Sequence, residues 1–230
     1  MRAQYYPMFV SIDKRECLVV GGGSVGERKI RVLLQYGAAV RLVAENLTPW
    51  LQTQCDKGKV HLVAKTYTKD HLDDVDIVFA ATSDSGLNRA IAADARQRRL
   101  WCNMATEPEC GSFILPSIFQ RGLLTIAIST GGASPALAVQ VKERLSLEFG
   151  TEWIVLLNMM ALLRTTIQST GLTSAQNREL HHGISGLPLI GYIQKGEKHQ
   201  AIQAISDICQ PWVSSLEVEQ IWNEAWKQSF

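Results

Sequence analysis

The residues with the clearest chemical capacity are three glycines, Gly21, Gly23 and Gly26, spaced as Gly-x-Gly-x-x-Gly. Such a turn gathers backbone N–H groups with no side chains in the way, and its chemistry is the binding of a diphosphate. Gly21 allows the tight turn, Gly23 lets a diphosphate approach the main chain, and Gly26 lets the next helix lie close to the preceding strand. Ser24 and Val25 would open that helix and aim their N–H groups at the phosphates. Glu45 follows nineteen residues beyond Gly26. A dinucleotide fold often places there the acid that bonds an adenosine ribose and disfavours a 2′-phosphate; a solvated loop carboxylate is the competing reading. A second small-residue run, Ser129-Thr130-Gly131-Gly132-Ala133-Ser134-Pro135, suits an anion and equally suits a tight structural turn.

These residues need elements to position them. Cys17 to Val20 is a short Val-rich run, as expected for a strand buried on both faces. Gly26, Ile30, Leu33, Leu34 and Gly37 recur at helical spacing, with Gly37 as the C-terminal stop. Strands are expected at 40–43, 60–63, 77–81 and 100–104, with helices at 48–57 and from Ser85, a candidate cap, onward. The run 77–81 ends at Thr82, on the sheet edge where ligands sit in open α/β folds. Alternating strands and helices imply right-handed crossovers and one parallel sheet, of order 3-2-1-4-5.

The pattern then changes. Residues 113–116 and 123–128 read as strands around a polar turn at 120–122, and a helix capped by Ser134 with Pro135 in its first position should run to about Glu148. Beyond residue 150 only helices are expected, at 153–166, 199–209 and 215–227, with His181 and His182 exposed in a loop and Trp212, Trp222 and Trp226 as packing residues. The fold class is α/β: a Rossmann-like domain over 1–113, a small α+β segment over 114–150, and a helical C-terminal domain over 151–230.

Composition narrows the function. The 230 residues are 46% hydrophobic and 20% charged, with a net charge of +1, so nothing suggests nucleic acid as a partner. The longest apolar stretch, 153–163, is too short to span a bilayer, and the first eight residues do not read as a signal peptide. Five cysteines without regular spacing argue for reduced thiols and a cytoplasmic protein, with no metal site.

Taken together, Tyr6-Pro7-Met8-Phe9, the glycine turn with Glu27-Arg28-Lys29, Ala80-Ala81-Thr82, Asn88, Asn103, Ser112-Phe113-x-x-Pro116 and the Ser129–Pro135 run occur in an order that resembles the precorrin-2 dehydrogenase/sirohydrochlorin ferrochelatase family of sirohaem synthesis. The resemblance covers roughly residues 1 to 150. It implies an NAD-dependent oxidation of precorrin-2 to sirohydrochlorin, in some members followed by metal insertion at the same site. It also implies a homodimer that exchanges its middle segment across the two-fold axis. The cofactor would be NAD, bordered by Thr82 and Asn103. Ser129, Thr130 and Ser134 would lie near the carboxylate-rich tetrapyrrole, with Arg121 or Lys142 as supplementary cations. One departure stands out: the family's acid/base aspartate, three residues after the strand asparagine, is Thr106 here. Neighbouring Glu107 either replaces it or is a surface charge. A non-catalytic NAD-sensing or tetrapyrrole-binding regulatory module is the alternative to an enzyme.

Overall fold

The structure is a computed structural model and describes residues 5–229. The chain divides into two compact units, Met1–Leu115 and Pro116–Phe230.

The first unit is built on five parallel strands: β1 (Glu16–Val20), β2 (Ala39–Val43), β3 (His61–Ala64), β4 (Ile77–Ala80) and β5 (Trp101–Met104). Their order is β3-β2-β1-β4-β5, so the chain winds outward from β1 first to one side and then to the other. Val19 of β1 is in register with Leu42 of β2 and Phe79 of β4, which fixes the three central strands. Helices α1 (Ser24–Gln35), α2 (Pro49–Asp56) and α3 (Ser85–Gln97) make the crossovers. Alternation along the strands separates two cores. One contains Val19, Leu42 and Phe79 with Ile30 and Leu33 of α1; the other contains Leu18, Val78 and Met104 with Ile91 and Ala95 of α3. The cap of α3 is Asp84, not Ser85. Its carboxylate accepts from the N–H groups of Gly86 and Leu87 at 2.8 and 3.1 Å, and Ser85 is already helical.

In the second unit β6 (Ser117–Arg121) and β7 (Leu124–Ile128) form an antiparallel pair. Residues 113–116 are not a strand, and Gln120 and Arg121, expected in the turn, belong to β6. The reason is the tight turn at Gly122-Leu123. With Gly122 at φ +55°, Arg121 pairs directly with Leu124, and the ladder runs back from there to Ser117. Helix α4 (Pro135–Glu148) begins and ends as the sequence implies. It is followed by α5 (Glu152–Ser169), α6 (Ser174–Ser185), α7 (Leu189–Lys195), α8 (Lys198–Cys209) and α9 (Ser215–Lys227). Helices α5 to α9 enclose their own core, in which Met159, Leu163, Ile184, Ile205 and Trp222 are buried.

His181 and His182 lie inside α6 and not in a loop. A reciprocal capping box between Thr173 and Gln176 starts that helix, and Gly183 continues it with space to pack near Ile208. Trp222 and Trp226 pack into the helical core, whereas Trp212 is 41% exposed. All five cysteines are free thiols. Among the described residues no single helix is long and apolar enough to cross a membrane.

Candidate cofactor and active site

The glycine turn leaves β1 at the carboxyl edge of the sheet. Gly21 has φ +120°, and a Cβ there would lie 2.3 Å from the carbonyl oxygen of Ala81. A Cβ at Gly26 would lie 2.0 Å from the carbonyl oxygen of Gly21. Both glycines are therefore required by backbone packing within the protein. Gly23 differs: a Cβ there would meet no atom within 4 Å. The space over Gly23 is open, as a bound diphosphate requires. Gly23 is also the N-cap of α1 and offers no side-chain acceptor, so the first-turn N–H groups, including those of Ser24 and Val25, face outward unquenched. Gly22, which sequence spacing does not single out, is as constrained as Gly21, because a Cβ would meet the Asn46 carbonyl oxygen at 2.3 Å.

One carboxylate sits in that first turn. Hydrogen bonding to Thr48, and then to Arg31 at 2.7 Å, holds the Glu27 carboxyl below its usual range. Arg31 in turn lies 3.8 Å over the Trp50 ring, so the acid beside the phosphate position is paired. Glu45 is exposed just beyond β2.

The next two edges of the site are braced by buried amides. Asn88 is fully buried and its Oδ1 accepts from the N–H and hydroxyl of Thr82, at 3.1 and 2.8 Å, while its Nδ2 donates to the Thr82 carbonyl. Thr82 is thereby fixed after β4. Asn103 is 4% exposed on β5 and accepts from the Lys29 ammonium at 2.6 Å. In the sequence Lys29 has no assigned role beyond its place in the Glu27-Arg28-Lys29 motif, although its position three residues after Gly26 and four before Leu33 puts it on the buried face of α1.

Thr106 is exposed in the loop after β5. Glu107, beside it, is held by Arg89 of α3 in a bidentate pair with contacts of 2.7 to 3.1 Å, and the Cys110 thiol donates to it at 3.7 Å. The Arg89 hydrogen bonds hold the Glu107 carboxyl below its ordinary range, which weakens it as a base at neutral pH. Nothing in the sequence pairs Arg89 with Glu107, because only the crossover brings α3 beside this loop.

In the second unit the Ser129–Pro135 turn spends its hydroxyls on itself. Thr130 Oγ1 accepts from the Ser134 N–H at 3.1 Å and donates to the Ser134 carbonyl at 3.0 Å. Ser134 Oγ caps α4 by accepting from the Leu137 N–H, and Ser129 Oγ accepts from the Gly131 N–H. Arg121 is committed as well, donating to the carbonyls of Phe149 and Ser146 at the end of α4.

Comparison with known proteins agrees with this arrangement in both units. Residues 8–117 match a family described as putative NAD(P)-binding, and residues 121–146 match the sirohaem biosynthesis protein central family. Across both units the chain thus resembles the precorrin-2 dehydrogenase/sirohaem synthase family. It is 41% identical over 142 residues to siroheme synthase 1 of Serratia proteamaculans, covering 61% of this chain and 30% of that protein. It is 40% identical over 141 residues to the siroheme synthase of Escherichia coli O1:K1 / APEC, covering 61% of this chain and 31% of that one. The chain thus spans about three tenths of the length of these curated relatives. Among solved structures it is similar to SirC, a precorrin-2 dehydrogenase, with a TM-score of 0.73 and 28% identity over 88% of this chain and 100% of that one. The first unit is accordingly a nicotinamide dinucleotide-binding fold.

Proposed function

We propose that this chain is an NAD-dependent precorrin-2 dehydrogenase, oxidising precorrin-2 to sirohydrochlorin in sirohaem biosynthesis. The observation that carries the reading is the likeness to SirC, which runs over the whole of that chain, helical region included. The open cradle at Gly23 is consistent with it, since that is where a diphosphate needs room.

In this reading Gly21, Gly23 and the N–H groups of Ser24 and Val25 hold the diphosphate. Glu45 accepts from the ribose hydroxyls and repels a 2′-phosphate, giving NAD preference over NADP. Thr82 and Asn103, braced by Asn88 and Lys29, border the redox end. The bound cofactor supplies the hydride acceptor. The chain holds the donor carbon close to it, and positioning alone can supply much of the acceleration. Precorrin-2 also loses a proton. The Thr106 hydroxyl cannot take it at neutral pH, and Glu107 is a weak base while paired with Arg89, so water receives it with at most partial help from Glu107. Metal insertion, which needs proton acceptors for the pyrrole nitrogens, should be weak. Ser129, Thr130 and Ser134 form the turn that meets the tetrapyrrole carboxylates, with Thr130 and Ser134 shaping it and Ser129 at its rim.

The protein acts as a homodimer in this proposal. Helix α4 buries only Ala138 and leaves Leu137 half-exposed and Leu147 88% exposed, and β7 is nowhere fully buried. A second copy would cover these apolar residues.

The test is to supply NAD or NADP with precorrin-2 to the purified chain and follow reduced cofactor by absorbance. NADH should form in step with sirohydrochlorin, faster than NADPH, and Thr106→Asp should raise ferrous-iron insertion more than dehydrogenation. Folded protein that binds NAD but forms no NADH would refute the proposal.

A further inference from the structure

Four residues of α1 are buried: Gly26, Lys29, Ile30 and Leu33. Of these only Lys29 can carry a charge, and it is 9% exposed. Its ammonium donates to Asn103 Oδ1 at 2.6 Å and lies 5.6 Å from the centre of the Phe79 ring. No carboxylate is among these partners. Burial brings the pKa of Lys29 down to about 8, and Arg28 pushes in the same direction. A buried ammonium held by a neutral amide is an expensive arrangement, and its effect must be sought in what the amide does.

Asn103 closes the neck of a loop. The chain leaves β5 after Met104, carries Thr106 and Glu107, and returns at Ser112. There the Ser112 N–H donates to the Cys102 carbonyl at 2.8 Å, and Ser112 Oγ accepts from the Cys102 N–H at 2.8 Å. The next rung is made by a side chain: Asn103 Nδ2 donates to the Phe113 carbonyl at 3.1 Å. An amide can turn end for end, but an ammonium only donates. While Lys29 is protonated it must take Oδ1, which leaves Nδ2 for Phe113. A neutral amine can still donate to Oδ1, but the bond loses the assistance of the charge, so loss of the proton slackens the hold on the amide.

We propose that Lys29 is a positioning residue, whose ammonium fixes the Asn103 amide and so holds the Thr106–Glu107 loop in place against the helix that presents the cofactor site. The surroundings leave the control to Lys29 itself. Arg28, on its own helix, is the charge that acts on it. Strands β4 and β5 present Phe79 and Asn103, and the returning chain presents Phe113, none of which titrates near neutrality. Cys17 of β1, in the same core, is kept neutral because burial pushes its thiol up to about 12. The loop therefore loosens as pH rises through about 8, the value for Lys29, and turnover falls on the alkaline side.

Turnover as a readout rests on the dehydrogenase reading; backbone exchange does not. In the full chain, hydrogen exchange of peptides within 104–113 is compared at neutral pH for the native protein, Lys29→Met and Lys29→Arg. NAD affinity by calorimetry and turnover across neutral and alkaline pH are measured on the same proteins. Lys29→Met should exchange faster at 104–113 while the peptides of β1 to β3 are unchanged. It should lose roughly ten- to a hundredfold in kcat, the order expected for a misplaced group, with NAD affinity kept and the alkaline fall abolished. Lys29→Arg, which can only donate, should retain protection and most of the turnover. Native-like exchange and kcat in Lys29→Met, or an arginine variant as impaired as the methionine one, would overturn the proposal. If Lys29→Met does not fold, Lys29→Gln decides, with exchange followed across neutral and alkaline pH. Its amide can still donate to Asn103 Oδ1 and has no proton to lose, so the pH dependence of loop protection should vanish, and a transition retained at the native pH overturns the proposal. A native chain without turnover refutes the dehydrogenase reading alone, because hydrogen exchange still tests whether Lys29 holds the loop.

Discussion

The two glycine turns, Gly21–Gly26 and Ser129–Pro135, use similar residue types and each opens a helix, of 12 residues in α1 and 14 in α4. They differ in what closes the helix end. Gly23 caps α1 with no side chain at all, so the first-turn donors stay available. Ser134 caps α4 with its hydroxyl, and Thr130 bonds both the N–H and the carbonyl of Ser134. Both runs satisfy the same sequence description of an anion-binding loop. The hydroxyls separate them: a serine or threonine in a glycine turn can consume the donors that an anion would otherwise use.

The sharpest way to break the comparison is Gly26→Val. The new Cβ would fall 2.0 Å from the Gly21 carbonyl oxygen, a backbone atom that cannot step aside without moving β1 or α1. Loss of more than about 3 kcal/mol is expected, read as a lower denaturant midpoint. A midpoint close to the native one would mean that the turn is not held as described.

Gly23→Val separates ligand from fold. Its φ of −81° and ψ of −173° are open to any residue, and its Cβ meets nothing. Stability should change by less than about 1 kcal/mol, while calorimetric NAD affinity falls at least about a hundredfold, near 2.7 kcal/mol. Unchanged affinity would remove the diphosphate from this turn.

Thr130→Val probes the other turn and should give the smallest effect. Two hydrogen bonds of a partly buried hydroxyl are lost, costing about 1–2 kcal/mol of stability, with NAD affinity unaltered. If stability is unaffected and turnover collapses instead, the hydroxyl serves the tetrapyrrole and not the loop.

Much of this architecture is legible locally. The Val-rich run before Gly21, the apolar spacing after it and the strand–helix alternation to residue 104 determine a parallel sheet and its order, because right-handed crossovers leave few alternatives. Ser134-Pro135 marks the start of α4 for the same local reason. The box at Thr173 and Gln176 was equally readable, and the glycines around His181 and His182 obscured it. What the sequence could not determine lies in pairings across the fold. Lys29 and Asn103 are 74 residues apart, and Arg89 and Glu107 are 18 apart, one on a crossover helix and the other in the loop after β5. No periodicity relates such residues. Their partners are set by where packed helices place long side chains, and that placement decides whether Glu107 is a free base and whether Lys29 is a surface cation or a buried brace. Tertiary structure alone decided both.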